Sequence, residues 1–337
     1  MPDLTVVQSL IQLDWERATA LVQEAGRILI LTHINPDGDA IGSARGLAFL
    51  LEGLGKQVTI AVDGGTPRGL SFLPGTESIL PTLHGVSKDE VDLVIVTDCS
   101  DERRIGQVGI AARGWQKPWI NLDHHKTNTL FAEANLVHSV AASATEIVMD
   151  WAAFAGWTVS LPAAECLLCG LVTDTLCFRT NSTTPTTLEK AQQLMRHGAS
   201  LSKTVQQTVN RLPTAVILLW GKVLPRMRVE DGVIWTTIPR AIDLETGANG
   251  SDGALASVLL QAEDACFACV ITEEKNGVCD ISLRAKPGYA ASAVALSLGG
   301  GGHTLAAGAQ VSGTLEEVEA LVIPMLKAAA KGEIPHS

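Results

Sequence analysis

Three short apolar runs, each delivered to a carboxylate, constrain the fold of this chain more than any other feature. Residues 27–33 open onto Asn35-Pro36-Asp37-Gly38-Asp39, residues 91–97 stop at Asp98, and residues 118–122 stop at Asp123. Apolar runs of strand length read as buried strands, the pattern of a parallel sheet covered by helices. A helical spacing of apolar residues over 13–26 precedes the first run. Another, over 39–54, follows it and ends at Gly55 before the β-rich stretch 57–62. The segment is therefore a β-α-β unit. Doubly wound parallel sheets bind ligands outside the carboxyl ends of their strands, so the loops after these runs are expected to converge.

The rest of the chain divides in two. At 337 residues it is long enough for two lobes, each with its own core. Residues 145–224 are mainly helical in pattern, with Pro162, Pro185 and Pro213 at helix starts. After Asp231-Gly232 the pattern changes to a strand over 233–238, a helix over 253–262, strands over 265–272 and 279–285, and a helix over 290–298. The fold class is α/β: an N-terminal doubly wound, mainly parallel sheet with a smaller C-terminal α/β domain. The expected division is a catalytic domain over 1–211, a helical linker over 212–230 and a substrate-binding domain over 231–332.

A net charge of -11 argues against wrapping a long duplex, since phosphate backbones are held by Lys and Arg. A short anionic substrate is compatible with it, because bound cations dominate the field of their own site. The start has no basic leader before an apolar core, and no run of about 18 apolar residues occurs, so the expectation is a cytoplasmic protein without a membrane partner. Seven cysteines, an odd number, sit mostly in apolar segments and read as reduced thiols. Cys166 with Cys169 and Cys266 with Cys269 have a spacing used for zinc or redox chemistry. The second pair falls in an expected strand, where residues three apart face opposite sides, and both pairs are assigned to core packing.

Chemistry concentrates in five segments. His33 to Ser43 follows a strand and enters a helix, and its Asp37-Gly38-Asp39 aims two carboxylates into one loop, a donor set suited to hard divalent ions. Read as local structure alone, the same loop is a polar turn with Asp39 capping the helix. Asp98 ends an apolar strand and is placed to bridge two ions. In Asp123-His124-His125 a carboxylate stands beside two histidines, and such a carboxylate can hold the second ring nitrogen of a ligand. Asp174 ends another apolar run, and Arg179 beyond it has the planar fork of a phosphate clamp. Together His33, Asp37, Asp39, Asp98, His124 and Asp174 make six ligands, enough for two divalent ions that share a carboxylate and activate a water for in-line phosphoryl displacement. Gly299 to Gly302 and His303 lie close after Arg284, and the glycine N–H groups can approach an anion or nucleotide.

The ordered set Asp37-Gly38-Asp39, Asp98, Asp123-His124-His125, Asp174 and Gly300-Gly301-Gly302-His303 resembles the DHH phosphoesterase family with its C-terminal substrate domain, over nearly the whole chain. The length is similar to the nanoRNase or oligoribonuclease branch, which is associated with degrading very short RNAs and dephosphorylating 3'-phosphoadenosine 5'-phosphate (pAp). The resemblance implies two Mn2+ ions on the six ligands, with Mg2+ or Co2+ as alternatives, Asp98 bridging, and Asp98, His124 and His125 as catalytic residues. It also implies that His125 faces the substrate phosphate, while Arg284, Gly300, Gly301, Gly302 and His303 hold the far end of a short oligoribonucleotide or nucleotide bisphosphate across an interdomain cleft. A homodimer is a further expectation. One departure stands out: Leu176 occupies a position where relatives commonly carry Gly, and a larger side chain beside Asp174 could reshape the nucleotide pocket and alter substrate preference. The nearest rival is a cyclic- or linear-dinucleotide phosphodiesterase of the same fold. A binding protein that had lost catalysis is disfavoured by the intact ligand set.

Overall fold

In the computed structural model the apolar runs become neighbouring strands of one sheet. The structure describes residues 4–332, with side chains from residue 14 onward and that of His303 excepted. Strands β1 (Arg27–Leu31), β2 (Gln57–Ala61), β3 (Leu93–Thr97), β4 (Trp119–Asp123) and β5 (Ala134–Val137) lie in the order β2-β1-β3-β4-β5, every pairing parallel. Because successive side chains point to opposite faces, Ile28 and Ile30 enter one apolar cluster and Leu29 and Leu31 another. The sheet is thus buried on both sides, which is why its strands are apolar without alternation.

Helices fill the two faces. The first cluster takes residues from α1 (Leu4–Glu24) and α2 (Gly38–Gly53), and the second takes Val108 and Ala112 from α3 (Gln107–Arg113). The first also includes α4 (Ala144–Ala155), α5 (Leu161–Asp174) and α6 (Pro185–Arg196), with α7 (Leu201–Gln207) packed against it. Pro162 sits in the first turn of α5 and Pro185 opens α6, where a missing N–H costs nothing. Chain direction across the sheet reverses at β1, with β2 on one side and β3 on the other. The crevice between the ends of β1 and β3 is therefore the switch point, where ligands of such sheets bind.

Two local features shape the surroundings of α5. Gly38, Gly42 and Gly46 recur one turn apart on α2 and let it lie close against α5. A methyl group at Gly42 would stand 2.6 Å from the Cys166 carbonyl oxygen and 2.9 Å from the Gly170 amide nitrogen. The second feature comes directly after α5, where Leu176, Cys177 and Phe178 form a left-handed turn with φ of 47°, 60° and 63°. Each such residue costs about 1–2 kcal/mol. Fully buried Thr175 holds the turn: its hydroxyl donates to Leu171 O at 2.6 Å and accepts from Phe178 N at 2.9 Å.

The chain divides into two compact units between Arg211 and Leu212. The second unit contains α8 (Thr214–Val223), β6 (Arg228–Glu230), β7 (Val233–Ile238), α9 (Arg240–Thr246), α10 (Leu255–Leu259), β8 (Phe267–Glu273), β9 (Val278–Ala285), α11 (Ala291–Ser297), β10 (Gly301–His303), β11 (Ala306–Ser312) and α12 (Leu315–Ala330). Its sheet runs β10-β11-β9-β8-β7-β6, antiparallel except for β7 with β8. The segment 212–230, expected as a linker, is corrected here. Leu219 and Val223 of α8 are buried against Ile234, Ile238, Leu255 and Val270, and β6 is an edge strand paired with β7. Its apolar face makes it part of the second core. Among the described residues no helix is long and apolar enough to cross a membrane.

Candidate metal centre

The acidic and imidazole groups picked from separate loops meet at the carboxyl end of the first sheet. His33 follows β1 by two residues, Asp98 follows β3 directly, His124 and His125 follow β4, and Asp174 is the last residue of α5. Three overlapping groups each place their ligand atoms within 4.8 Å of one another: His33 with Asp37 and Asp98, Asp98 with His124 and His125, and Asp39 with His124 and Asp174. Asp98 belongs to two of them. Its Oδ2 lies 3.4 Å from His33 Nε2 and its Oδ1 lies 3.5 Å from His124 Nε2, so one oxygen faces each side.

The backbone arranges this directly. Asp98 adopts φ 53°, a left-handed conformation that Asp tolerates better than most residues, while its N–H still donates to Leu122 O at 2.8 Å. Asp37, and not Asp39, caps α2: its Oδ1 accepts from the N–H groups of Asp39 and Ala40 at 3.0 Å each. Asp39 is released for another task. Its fully buried carboxylate accepts from Ala144 N at 2.6 Å and Thr145 N at 3.1 Å, at the positive end of α4. His33 and His124 both point Nδ1 at a carbonyl, at Ile34 O (2.8 Å) and Ala141 O (3.3 Å) respectively, which turns Nε2 towards the carboxylates.

The donor set fits divalent cations. Asp98 Oδ1 is buried with no hydrogen-bond partner, an arrangement that is costly unless a cation completes it. The protonation states agree. Burial pushes the Asp39 carboxyl well above its usual range, reinforced by Asp98 and Asp174, and burial likewise pushes Asp174 to about 7. Burial opposes charge on Asp98 too, but His124 and His33 outweigh it and hold this carboxyl at about 2. Burial would drive the proton off His124, yet Asp98, Asp39 and Asp174 prevail and raise it to about 10. Without cations, protons balance this cluster.

Cation binding must displace those protons, which gives a direct expectation. Mn2+ titrated into the metal-free protein near neutral pH should release roughly one to two protons per chain, and its affinity should rise with pH as His124 loses its proton more easily. Calorimetry in two buffers of different ionisation enthalpy measures this. Equal heats in both buffers would mean that the cation does not compete at His124.

Other residues singled out from sequence fall elsewhere. Arg179 is exposed, lies just past the left-handed turn and donates Nε to Leu176 O at 2.7 Å. In the second unit Arg284 donates Nε to Ser257 Oγ at 3.1 Å and Nη1 to Leu283 O at 2.9 Å. Gly300 and Gly302 are demanded by the β10–β11 hairpin. A Cβ on Gly300 would overlap the Gly308 carbonyl oxygen, and one on Gly302 would stand 2.6 Å from Ala306 O, whereas Gly301 has nothing within 4 Å. His303 ends β10, and its side chain lies outside the described residues. The cysteines of both spaced pairs are free, and none joins a metal-type group among the described residues.

Sequence reading missed Asn128 and Asn121. Asn121 is fully buried in β4 and donates to Cys99 O at 3.0 Å, and Asn128 donates to Asp123 and Asn121. The available signal was a polar residue inside an apolar strand, which must find a partner.

The parallel sheet thus carries at its switch point a cluster of acidic and imidazole groups that could hold divalent cations. Residues 27–171 match the model of the DHH family N-terminal domain, and residues 241–331 match that of the DHHA1 domain. The chain is 32% identical over 305 residues to the bifunctional oligoribonuclease and PAP phosphatase NrnA of Thermus thermophilus, covering 89% of this chain and 90% of that one. It is 26% identical to the cyclic-di-AMP phosphodiesterase GdpP of Geobacillus thermodenitrificans over 87% of this chain and 46% of that longer protein. Among solved structures, an exopolyphosphatase-related protein from Bacteroides fragilis superposes with a TM-score of 0.88 at 25% identity, covering 95% of this chain and 98% of that one. The chain belongs to the DHH phosphoesterase family.

Proposed function

We propose that this protein hydrolyses very short oligoribonucleotides and nucleotide bisphosphates such as pAp, using two divalent cations, with Mn2+ the expected metal. The observation that carries the reading is Asp98, whose two carboxylate oxygens face His33 and His124 separately while Oδ1 lacks a hydrogen bond. Similarity to the Thermus thermophilus enzyme over nine-tenths of both chains supports the substrate class.

His33, Asp37 and Asp98 would hold one cation, and Asp39, His124 and Asp174 the other, with Asp98 reaching both. When bound, the pair supplies an activated water and charge neutralisation for in-line displacement at phosphorus. The chain's own groups do the rest. The helix α4 fixes Asp39 through two backbone N–H groups, so that ligand is set before any cation arrives. Asp123 accepts from His125 Nδ1 at 2.7 Å, which leaves Nε2 as the atom that meets a substrate phosphate oxygen. Arg179 in the first unit, and Arg284 with the Gly300–His303 segment in the second, are proposed to bind the substrate's phosphates or base.

The test is release of phosphate and nucleotide from pAp, a 5'-phosphorylated diribonucleotide, cyclic dinucleotides and pyrophosphate, each with Mn2+ and with EDTA. Metal-dependent cleavage of the first two is expected, and EDTA should reduce it to background. Cleavage of cyclic dinucleotides alone would move the assignment to the second reading, which the similarity to GdpP favours. No cleavage of any would overturn the enzymatic reading.

A further inference from the structure

We infer that Asn128 is a positioning residue for the proposed hydrolysis, acting on His125 through Asp123. The inference rests on the reading of His125 as the group that meets the substrate. Asp123 is fully buried, and its two oxygens are divided: Oδ1 accepts from His125 Nδ1 at 2.7 Å and Oδ2 accepts from Asn128 Nδ2 at 2.6 Å. A buried carboxylate with one donor on each oxygen has one preferred orientation. Without the Asn128 donor, its Oδ2 loses that anchor and the carboxylate is free to rotate about its last bond.

Asn128 is itself held so that its amide faces one way. Nδ2 also donates to Asn121 Oδ1 at 2.8 Å and lies 3.3 Å from Cys99 O, while Oδ1 accepts from Leu130 N at 2.7 Å. Rotating the amide by half a turn would set its oxygen against three acceptors and its NH2 against a donor. The side chain thus joins the residue after Asp98, the strand β4 and the carboxylate behind His125. Asn128 N also donates to His125 O at 3.2 Å, so the loop is closed on itself at the same place. The geometric result is a fixed ring: Nδ1–H points at Asp123, and Nε2 is turned to the other side, where the proposed substrate contact lies. If Asp123 rotates, Nδ1–H loses its fixed acceptor and the ring its orientation, so Nε2 is no longer held towards the phosphate.

The experiment compares Asn128→Ala and Asn128→Leu, the second of which keeps most of the volume and removes all hydrogen bonding. Two-dimensional 15N spectra of histidine-labelled, metal-free protein report the tautomer, with His125 assigned by loss of its signal in His125→Gln. The expected result is a change from Nδ1–H to a mixture of tautomers. With Mn2+ present, kcat should fall about 10- to 100-fold, while KM and the Mn2+ bound per chain stay within about twofold. An unchanged His125 tautomer would overturn the proposal. So would a parallel loss of kcat, KM and bound metal, or variants that do not fold, since each makes Asn128 a structural pin only. If the wild-type protein cleaves none of the substrates above, the substrate reading fails while the tautomer measurement still decides the role of Asn128.

Discussion

Replacing Asp98 by asparagine is expected to lower kcat at least about a thousandfold, roughly 4 kcal/mol of transition-state stabilisation, and to reduce the Mn2+ bound per chain. Asparagine is the informative substitution because it keeps the shape and tolerates the left-handed conformation at φ 53° better than alanine does. What it removes is charge at the one position that faces both His33 and His124. It also places an NH2 group where a ligand oxygen belongs. The N–H of residue 98 can still donate to Leu122 O, so the far-UV circular dichroism spectrum should not change. Activity within tenfold of wild type, at an unchanged metal content, would show that Asp98 is not shared between two cations.

The second large effect is structural. Gly42→Ala is expected to destabilise the first unit by about 3 kcal/mol, lowering its melting temperature by roughly 6–12 °C. The added methyl would meet the Cys166 carbonyl oxygen at 2.6 Å and the Gly170 amide at 2.9 Å, both backbone atoms that cannot swing aside. Relief requires α2 and α5 to separate, and these helices carry Asp39 and Asp174. Mn2+ affinity should therefore fall with stability. Gly53→Ala is the control, at the end of the same helix with nothing within 4 Å, and should be neutral or slightly stabilising. Equal melting temperatures for Gly42→Ala and the control would mean that the helices part easily.

The parallel sheet was legible because its strands are apolar without alternation, and the candidate ligands because each stands within a few residues of an element's end. Finer points depended on geometry that no spacing encodes. Asp37 and Asp39 are equivalent as letters, and only the direction of α2 decides which caps it and which is buried against α4. Asn128 contacts Asn121 and Cys99, seven and 29 positions away, through one amide group. The apolar helix α8 read as a linker because its buried partners, Ile234 and Leu255, come later in the chain. The glycines at 300 and 302 read as anion-binding, but a hairpin with equally tight backbone approach selects the same residue.

The six candidate ligands are strung from His33 to Asp174, and that spacing bears on how the protein is made. A ribosome adding about 5–20 residues per second needs roughly 7–30 s to pass from the first to the last. Through that interval the candidate triads are completed at different times: His33, Asp37 and Asp98 are all present once residue 98 is made, while Asp39 and His124 wait for Asp174 on α5, the helix against which α2 must settle. A cation held by the second triad would therefore have to be loaded into the finished unit, whereas one held by the first would need only the early strands.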